Sequence, residues 1–419
     1  RKYGQVIGLA TAPIRAGEAV HAHNLAFTPS TVEHTVGAGV VRILPATTPR
    51  TFDGFVRPNG KVGTRNYIGV LSSVNCSVTV GKLIAQAAAP LLDRDPGVDG
   101  IVALGHGSGC GLAVSGDGLR LLRRTLRGYA EHPNFAGILA VGLGCEVNQI
   151  ADLDLAAVAP NARSLVIQDA GGTTAAVKAG LAIIEEMLPD AAAIAREPVP
   201  LSSLILGLNC GGSDAYSGIT SNPALGVAAD LLVAYGGTAV LAETPEIYGA
   251  ENLLTARASS DAVARKLVER IAWWERYTSS NGSTIDSNPS PGNKIGGLTT
   301  ILEKSLGAAA KGASSPLEAV YSYAEQVTSP GLVFMDTPGY DPVSVTGIVA
   351  GGAQVICFTT GRGSVFGCKP APSIKLCSNS QTYQRMSEDM DLNCGTIIDG
   401  MASVEEMGQR IFEIVLATA

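Results

Sequence analysis

What constrains this chain most is a repeated pattern: short continuous apolar runs, each followed by a segment that can be helical. The runs are YIGVLSSV (67–74), VDGIVAL (98–104), FAGILAVGL (135–143) and SLVIQDA (164–170), and a helix is expected over 173–188. A strand that is apolar on both faces needs cover on both. Runs without in/out alternation, trading places with helices, therefore predict a parallel sheet between helical layers. A second series begins after 203, with strands at 204–208, 238–242, 331–336, 353–361 and 373–377. Helices are expected over 223–235 and 261–277, and a last one over 404–416 that Ser403 would cap. The expected fold class is α/β, with two parallel-sheet domains at 51–195 and 196–419, the second catalytic. Residues 1–27 read as short strands and turns, too few for a core of their own. Residues 28–50 read as a linker, and the segment Pro189–Ser203, with REPVP at its centre, marks a boundary. The stretch 279–297 has no periodicity, and such a segment inside a domain is usually functional.

Charge and cysteine usage narrow the function classes. With 30 Lys+Arg against 37 Asp+Glu, no run of like charges and 5% aromatic residues, the chain lacks the footprint of a nucleic-acid binder. Its longest apolar stretches fall well short of the ~20 residues of a membrane span. Eight cysteines without a C-x-x-C pair do not make a secreted disulfide framework, so free thiols and a cytoplasmic location are expected. No signal-peptide pattern opens the chain. Glycine is abundant, 50 of 419 residues, and without a triplet period. That abundance predicts many tight loops where bare backbone approaches a ligand.

Four cysteines fall just beyond predicted strands: Cys76, Cys110, Cys145 and Cys210. Open α/β sheets bind their ligands at that end. The bland reading is four small buried thiols. His106 shares the Cys110 loop, and Glu146 follows Cys145. In HAHN, His21 and His23 would share one face of a strand, as half of a metal site would require; partly exposed histidines beside a turn are the alternative. His34 and His132 read as solvent-facing. GGSDAYSGITSNP (211–223) leads from strand to helix and could cradle an anion. NPSPGNKIGG (288–297) holds Asn293 and Lys294 on a stiff frame, and TTGRGSVFGCKP (359–370) presents Arg362 and Lys369. Acidic candidates are Asp214, Glu243, Glu246, Glu251, Glu303, Asp336 and Asp341. Neither G-x-G-x-x-G nor G-x-x-x-x-G-K-[ST] occurs, which disfavours a nucleotide enzyme.

Taken together, VHAHN, NGKVGTRNYIG, SVNCS, HGSGCG, HPNFAGILAVGLGCEVNQ, CGGSDAYSGITSNPALG, ETPEIYGAE, NPSPGNKIGGLTTILEKSLG, DTPGYDPVS, FTTGRGSVFGCKP and DMDLNCG resemble the altronate/galactarate dehydratase family. These are sugar-acid hydro-lyases, and the family includes the large subunit of sulfolactate sulfo-lyase. The resemblance covers nearly the whole chain. It implies that residues 1–27 are the last part of a small SAF-type β domain, and it implies a divalent cofactor, Fe2+ first, with Mn2+ or another divalent ion as alternatives. The implied substrate is an aldonate or aldarate, and the product a 2-keto-3-deoxy acid. For that reaction Lys294, Glu303 and Asp214 are the expected acid/base residues. Arg65, Asn75, Ser213, Asn293 and Arg362 are expected to bind substrate, and His21, His23, Cys76, His106, Cys110 and Cys145 to surround the metal. The partner is a small sugar acid, and a homodimer is expected. An iron–sulfur hydro-lyase, a sulfolactate-type sulfo-lyase and a non-catalytic sugar-acid binder are the alternatives. Replacing Gly211 or Gly363 is expected to cost activity more than stability.

Overall fold

A computed structural model describes residues 1–28, 34–41, 43–159 and 161–419. Its frame is two parallel sheets. The smaller has four strands in the order Gly100–Leu104, Tyr67–Ser72, Phe135–Gly142, Ala162–Val166. The larger has seven, in the order Leu317–Tyr321, Gly331–Met335, Thr238–Leu241, Ile205–Cys210, Val355–Thr360, Ser373–Cys377, Leu392–Asn393. Every strand pairing within these two sheets is parallel. The α/β class is thus observed. Phe135–Gly142 and Val355–Thr360 are buried at every position, which is why their sequences show no alternation.

The two sheets share a core. Leu126, Tyr129 and Ile138 from the first half pack in one cluster with Val345, Ile348, Ile356 and Phe358 from the second. Helix Asp117–Ala130 meets helix Asp341–Ala350 so closely that a Cβ on Gly128 would lie 2.2 Å from the Ala350 carbonyl oxygen. Only glycine permits that approach. His132, expected at the surface, is instead buried beside this contact: its Nε2 lies 3.0 Å from the Ala353 carbonyl and its Nδ1 accepts from the Asn134 N–H. With both ring nitrogens satisfied by the fold, the imidazole needs no water.

Other elements depart from the sequence reading for local reasons. The helix expected to end at 188 runs Thr173–Ala192, through Pro189. REPVP is an edge strand in part: Glu197–Pro200 pairs antiparallel with Thr51–Val56, which also pairs with Val62–Gly63. An edge position tolerates prolines because one row of backbone groups faces outward. His21 and His23 lie on a turn rather than a strand, because Asn24 closes it: Asn24 N–H donates to the His21 carbonyl, and Asn24 Oδ1 accepts the His21 N–H. Residues 1–27 form one antiparallel pair, Leu9–Ala10 with Leu25–Ala26. The described part of 28–50 carries no helix or strand, and residues 29–33 and 42 of that expected linker lie outside the described residues. Leu317–Tyr321, Leu392–Asn393 and helix Ile301–Ala309 had no expectation of their own. The final helix, Val404–Thr418, has Ser403 in a full capping box with Glu406.

Candidate active site

In the seven-stranded sheet the chain moves outward from Ile205–Cys210 to one side, then crosses to Val355–Thr360 on the other. The loops leaving these two central neighbours diverge, so a crevice forms at their carboxyl ends. Backbone bonds stitch its walls together. Gly361 N–H and Arg362 N–H both donate to the Gly212 carbonyl, at 3.1 and 2.7 Å. At Gly211 a Cβ would meet the Asp341 carboxylate at 2.2 Å, so a larger residue there would have to push that side chain aside.

Beneath this crevice lies a charged cluster sealed from solvent. Cys210, Glu243, Glu246, Lys304 and Lys311 are each at most 7% exposed. Lys311 Nζ donates to Cys210 Sγ at 2.8 Å and to Glu243 Oε2 at 3.0 Å. Lys304 Nζ donates to Glu246 Oε1 at 2.7 Å and to Asn288 Oδ1 at 2.9 Å. The Cys210 thiol faces both acids, with Glu243 Oε2 at 3.4 Å and Glu246 Oε2 at 3.2 Å.

Local sequence explains this convergence. Glu243 follows strand Thr238–Leu241 with φ at +71°, a left-handed conformation that costs a non-glycine residue ~1–3 kcal/mol. Glu243 N–H donates to Thr337 Oγ1, which fixes that turn. Pro245 then opens the 3-10 turn Thr244–Ile247, which brings Glu246 back toward Cys210. Lys304 lies in helix Ile301–Ala309 and Lys311 in the 3-10 turn that continues it, Ala310–Gly312. A separation of seven is close to two helical turns, so both ammoniums reach the same side.

Two carboxylates and two ammoniums balance in charge, and the environment divides their proton affinities. Burial pushes Glu243 up to about 7, although the Lys311 ammonium opposes it. Burial also works on Glu246, but there the Lys304 and Lys311 ammoniums more than offset it, and its carboxyl falls below the usual range. Burial, reinforced by the Glu243 charge, holds the Cys210 thiol far above its ordinary value, so it stays protonated. Paired groups pushed apart in this way are an acid/base arrangement.

The same cluster has a donor set for a cation. Among the described residues, Cys210, Glu243 and Glu246 are the one group of three or more His, Cys, Asp or Glu whose ligating atoms lie within 4.8 Å of one another. Among the described residues Glu243 Oε1 is buried without a hydrogen-bond partner, an acceptor left available. One sulfur and several carboxylate oxygens suit a first-row divalent ion.

The expected site residues fall into three places. Ser213, Asp214, Asn293, Lys294, Arg362 and His21 are brought together at the crevice. Asn293 Nδ2 donates to the Ser213 carbonyl at 2.8 Å, and His21 Nε2 lies 3.0 Å from the Lys294 carbonyl. A Cβ on Gly296 would lie 3.1 Å from both Arg362 Cδ and Asp214 Cβ. Lys294 and Arg362 are exposed, whereas Asp214 is buried and braces its loop, accepting from Ser217, Ser378 and Asn379 side chains. Glu303 is also buried and paired with Lys2 at 2.6 Å. His23 is exposed on its turn.

Cys76, His106, Cys110, Cys145 and Asn75 form a second group, at the carboxyl edge of the four-stranded sheet. Arg65 lies apart from both. It precedes strand Tyr67–Ser72, at the amino end, and donates to the Thr418 carbonyl at 2.8 Å. Lys304, Lys311 and Asn288 were not singled out from the sequence. The available signal was a pair of lysines seven apart in an otherwise apolar, small-residue run, EKSLGAAAKG.

Two family models match the chain, one over the residues of each parallel sheet. Residues 54–192 match the family described as D-galactarate dehydratase/Altronate hydrolase, second domain, and residues 201–419 match D-galactarate/Altronate dehydratase, C-terminal. The chain is 35% identical to an altronate dehydratase of Bacillus subtilis (strain 168), over 95% of this chain and 80% of the relative. It is 37% identical to the galactarate dehydratase (L-threo-forming) of Escherichia coli (strain K12), over 100% of this chain and 82% of the relative. A (2R)-sulfolactate sulfo-lyase subunit beta of Chromohalobacter salexigens is 33% identical, over 88% of this chain and 92% of the relative. The chain belongs to the altronate/galactarate dehydratase family.

Proposed function

We propose that this protein dehydrates a sugar acid, an aldonate or aldarate, to a 2-keto-3-deoxy acid at the crevice of the seven-stranded sheet. The observation that carries the reading is the sealed Cys210–Glu243–Glu246–Lys304–Lys311 cluster directly beneath loops that bear Lys294 and Arg362. Dehydration breaks the C2–H bond and moves its proton to a base. The electron pair forms the C2–C3 double bond, the C3 hydroxyl leaves as water with a proton from an acid, and the enol becomes the ketone.

Glu243 is the base in this scheme. A carboxyl at about 7 both takes and returns a proton near neutral pH, a property worth ~10²–10⁴-fold in rate. Lys311 steadies the carboxylate before it takes the proton. Lys294 and Arg362 bind the substrate carboxylate, and Ser213 and Asn293 shape the loop that receives its hydroxyls. Asp214 holds that loop in place. Cys210 and Glu246 would hold a divalent ion, Fe2+ or Mn2+, which would supply Lewis-acid stabilisation of the substrate's oxygens when bound, and Glu243, kept by Lys311, stays free as the base.

The test is formation of 2-keto acid from a panel of aldonic and aldaric acids, with ferrous iron, manganese or chelator added. Product from at least one acid is expected, with activity falling under chelation and returning with the ion. Saturable binding without product would instead make the protein a sugar-acid binder.

A further inference from the structure

Of eight cysteines, five are buried or half-buried and three are exposed: Cys76, Cys110 and Cys145. Cysteine is among the most buried residue types, so three surface thiols need a cause. They are not scattered. Each follows one of three adjacent strands of the four-stranded sheet, Tyr67–Ser72, Gly100–Leu104 and Phe135–Gly142, at its carboxyl end.

Their loops are fixed to one another by named bonds. Asn75 N–H donates to the Ser108 carbonyl at 2.8 Å, and Asn75 Nδ2 to the His106 carbonyl at 3.0 Å. Asn148 N–H donates to the Gly109 carbonyl at 3.1 Å, and Asn148 Nδ2 to the Ser73 carbonyl at 2.8 Å. Gly109, at φ +100°, lies against the Ser73 carbonyl, where a Cβ would come within 2.6 Å. Glu146 turns inward, accepting from Ser73 Oγ and from the Leu143 and Gly144 N–H groups. Gln168 Nε2 donates toward Cys145 Sγ at 3.5 Å.

The spacing separates two kinds of ligand. Among the described residues these thiols do not form a group with ligating atoms within 4.8 Å, so they do not close on a single ion. A polynuclear cluster binds each cysteine through a different iron and so does not require its sulfurs to lie within that distance of one another. All-thiolate ligation also selects iron–sulfur chemistry over hard cations.

We infer that Cys76, Cys110 and Cys145 hold an iron–sulfur cluster of the [4Fe–4S] type, with one iron free of protein thiolate. Assembly from two ferrous ions, two ferric ions and four sulfides needs no change of oxidation state; it forms three iron–thiolate bonds and releases the three thiol protons. This centre is distinct from the buried cluster at Cys210 and does not rest on the dehydratase reading.

Anaerobic reconstitution of the full chain with ferrous and ferric iron in equal amounts and sulfide tests it. The expected result is a broad absorbance near about 400 nm with about four iron and four acid-labile sulfide per chain. Cys76→Ala, Cys110→Ala and Cys145→Ala should each lose at least half of both, with an unchanged melting temperature, whereas Cys210→Ala should retain them. No labile sulfide, one zinc per chain in its place, or equal loading in the triple variant would overturn the inference. Loading is read without any turnover assay, so a failure here and a failure of the sugar-acid reading are told apart.

Discussion

Lys311 Nζ lies 3.0 Å from Glu243 Oε2, and neither side chain meets solvent. The pair is a buried ion pair in which the acid is only partly tamed: burial lifts the carboxyl more than the ammonium lowers it, leaving it at about 7. That imbalance makes the pair a proton carrier as well as a brace.

Glu243→Gln keeps the volume and removes the exchangeable charge. The turnover number is expected to fall by ~10²-fold or more. Because a base must be unprotonated, wild-type kcat/KM should rise as pH climbs through about 7, and the variant should lose that rise. A pH–rate profile of both proteins checks it.

Lys311→Met leaves Glu243 and Glu246 facing each other without one of their two counter-charges. Breaking a buried pair from one side costs about 3–5 kcal/mol, so urea midpoints should fall accordingly. Adding Glu243→Gln should restore part of the loss, because the uncompensated charge is gone. An additive double variant would mean that the two groups do not interact.

His132 should make the contact between the two α/β halves acid-sensitive. Burial holds its imidazole down at about 4, so between that value and the ordinary 6.5 the folded chain binds fewer protons than the unfolded one. Stability is therefore full above 6.5 and falls as pH drops through the window, by about 3 kcal/mol in all. Denaturation measured across this range should show the slope, and His132→Gln should flatten it from a lower starting point.

Gly211 and Gly363 were expected to behave alike, and the structure distinguishes them. At Gly211 an added Cβ meets only the Asp341 carboxylate, a side-chain end that can swing away. Gly211→Ala should thus spare stability while misplacing the crevice wall, for a loss of up to ~10²-fold in kcat/KM. Gly363 has φ +93° and lies 2.2 Å from Met386 Sδ at the Cβ position, so Gly363→Ala is strained as well and should lose about 1 kcal/mol or more of stability. Paired melting and activity measurements decide.

Much of the fold was legible because strands such as Phe135–Gly142 and Val355–Thr360 are apolar at nearly every position, a signal that survives without tertiary context. Cys210, Glu243 and Glu246 stood out as candidates because they follow such strands. Their partners did not: Lys304 and Lys311 sit in a segment where lysine ordinarily means a solvated face, and only the packing shows them turned inward. His132 misled for the converse reason. Its polar neighbours suggested solvent, but Asn134 N–H and the Ala353 carbonyl satisfy its ring inside the protein. Short edge strands such as Leu392–Asn393 owe their existence to a neighbour, here Ser373–Cys377, and carry no periodicity to read.

In the proposed reaction Glu243 removes the C2 proton of a sugar acid in the crevice above it. The most direct measurement is a 2-keto acid assay of the wild-type protein and Glu243→Gln on aldonic and aldaric acids, run in deuterated water with ferrous iron present. Product from wild type is expected to carry solvent deuterium at C3, where the enol is reprotonated. The variant is expected to form product slower by ~10²-fold or more, with substrate still bound. Equal turnover by the two proteins would contradict that role for Glu243.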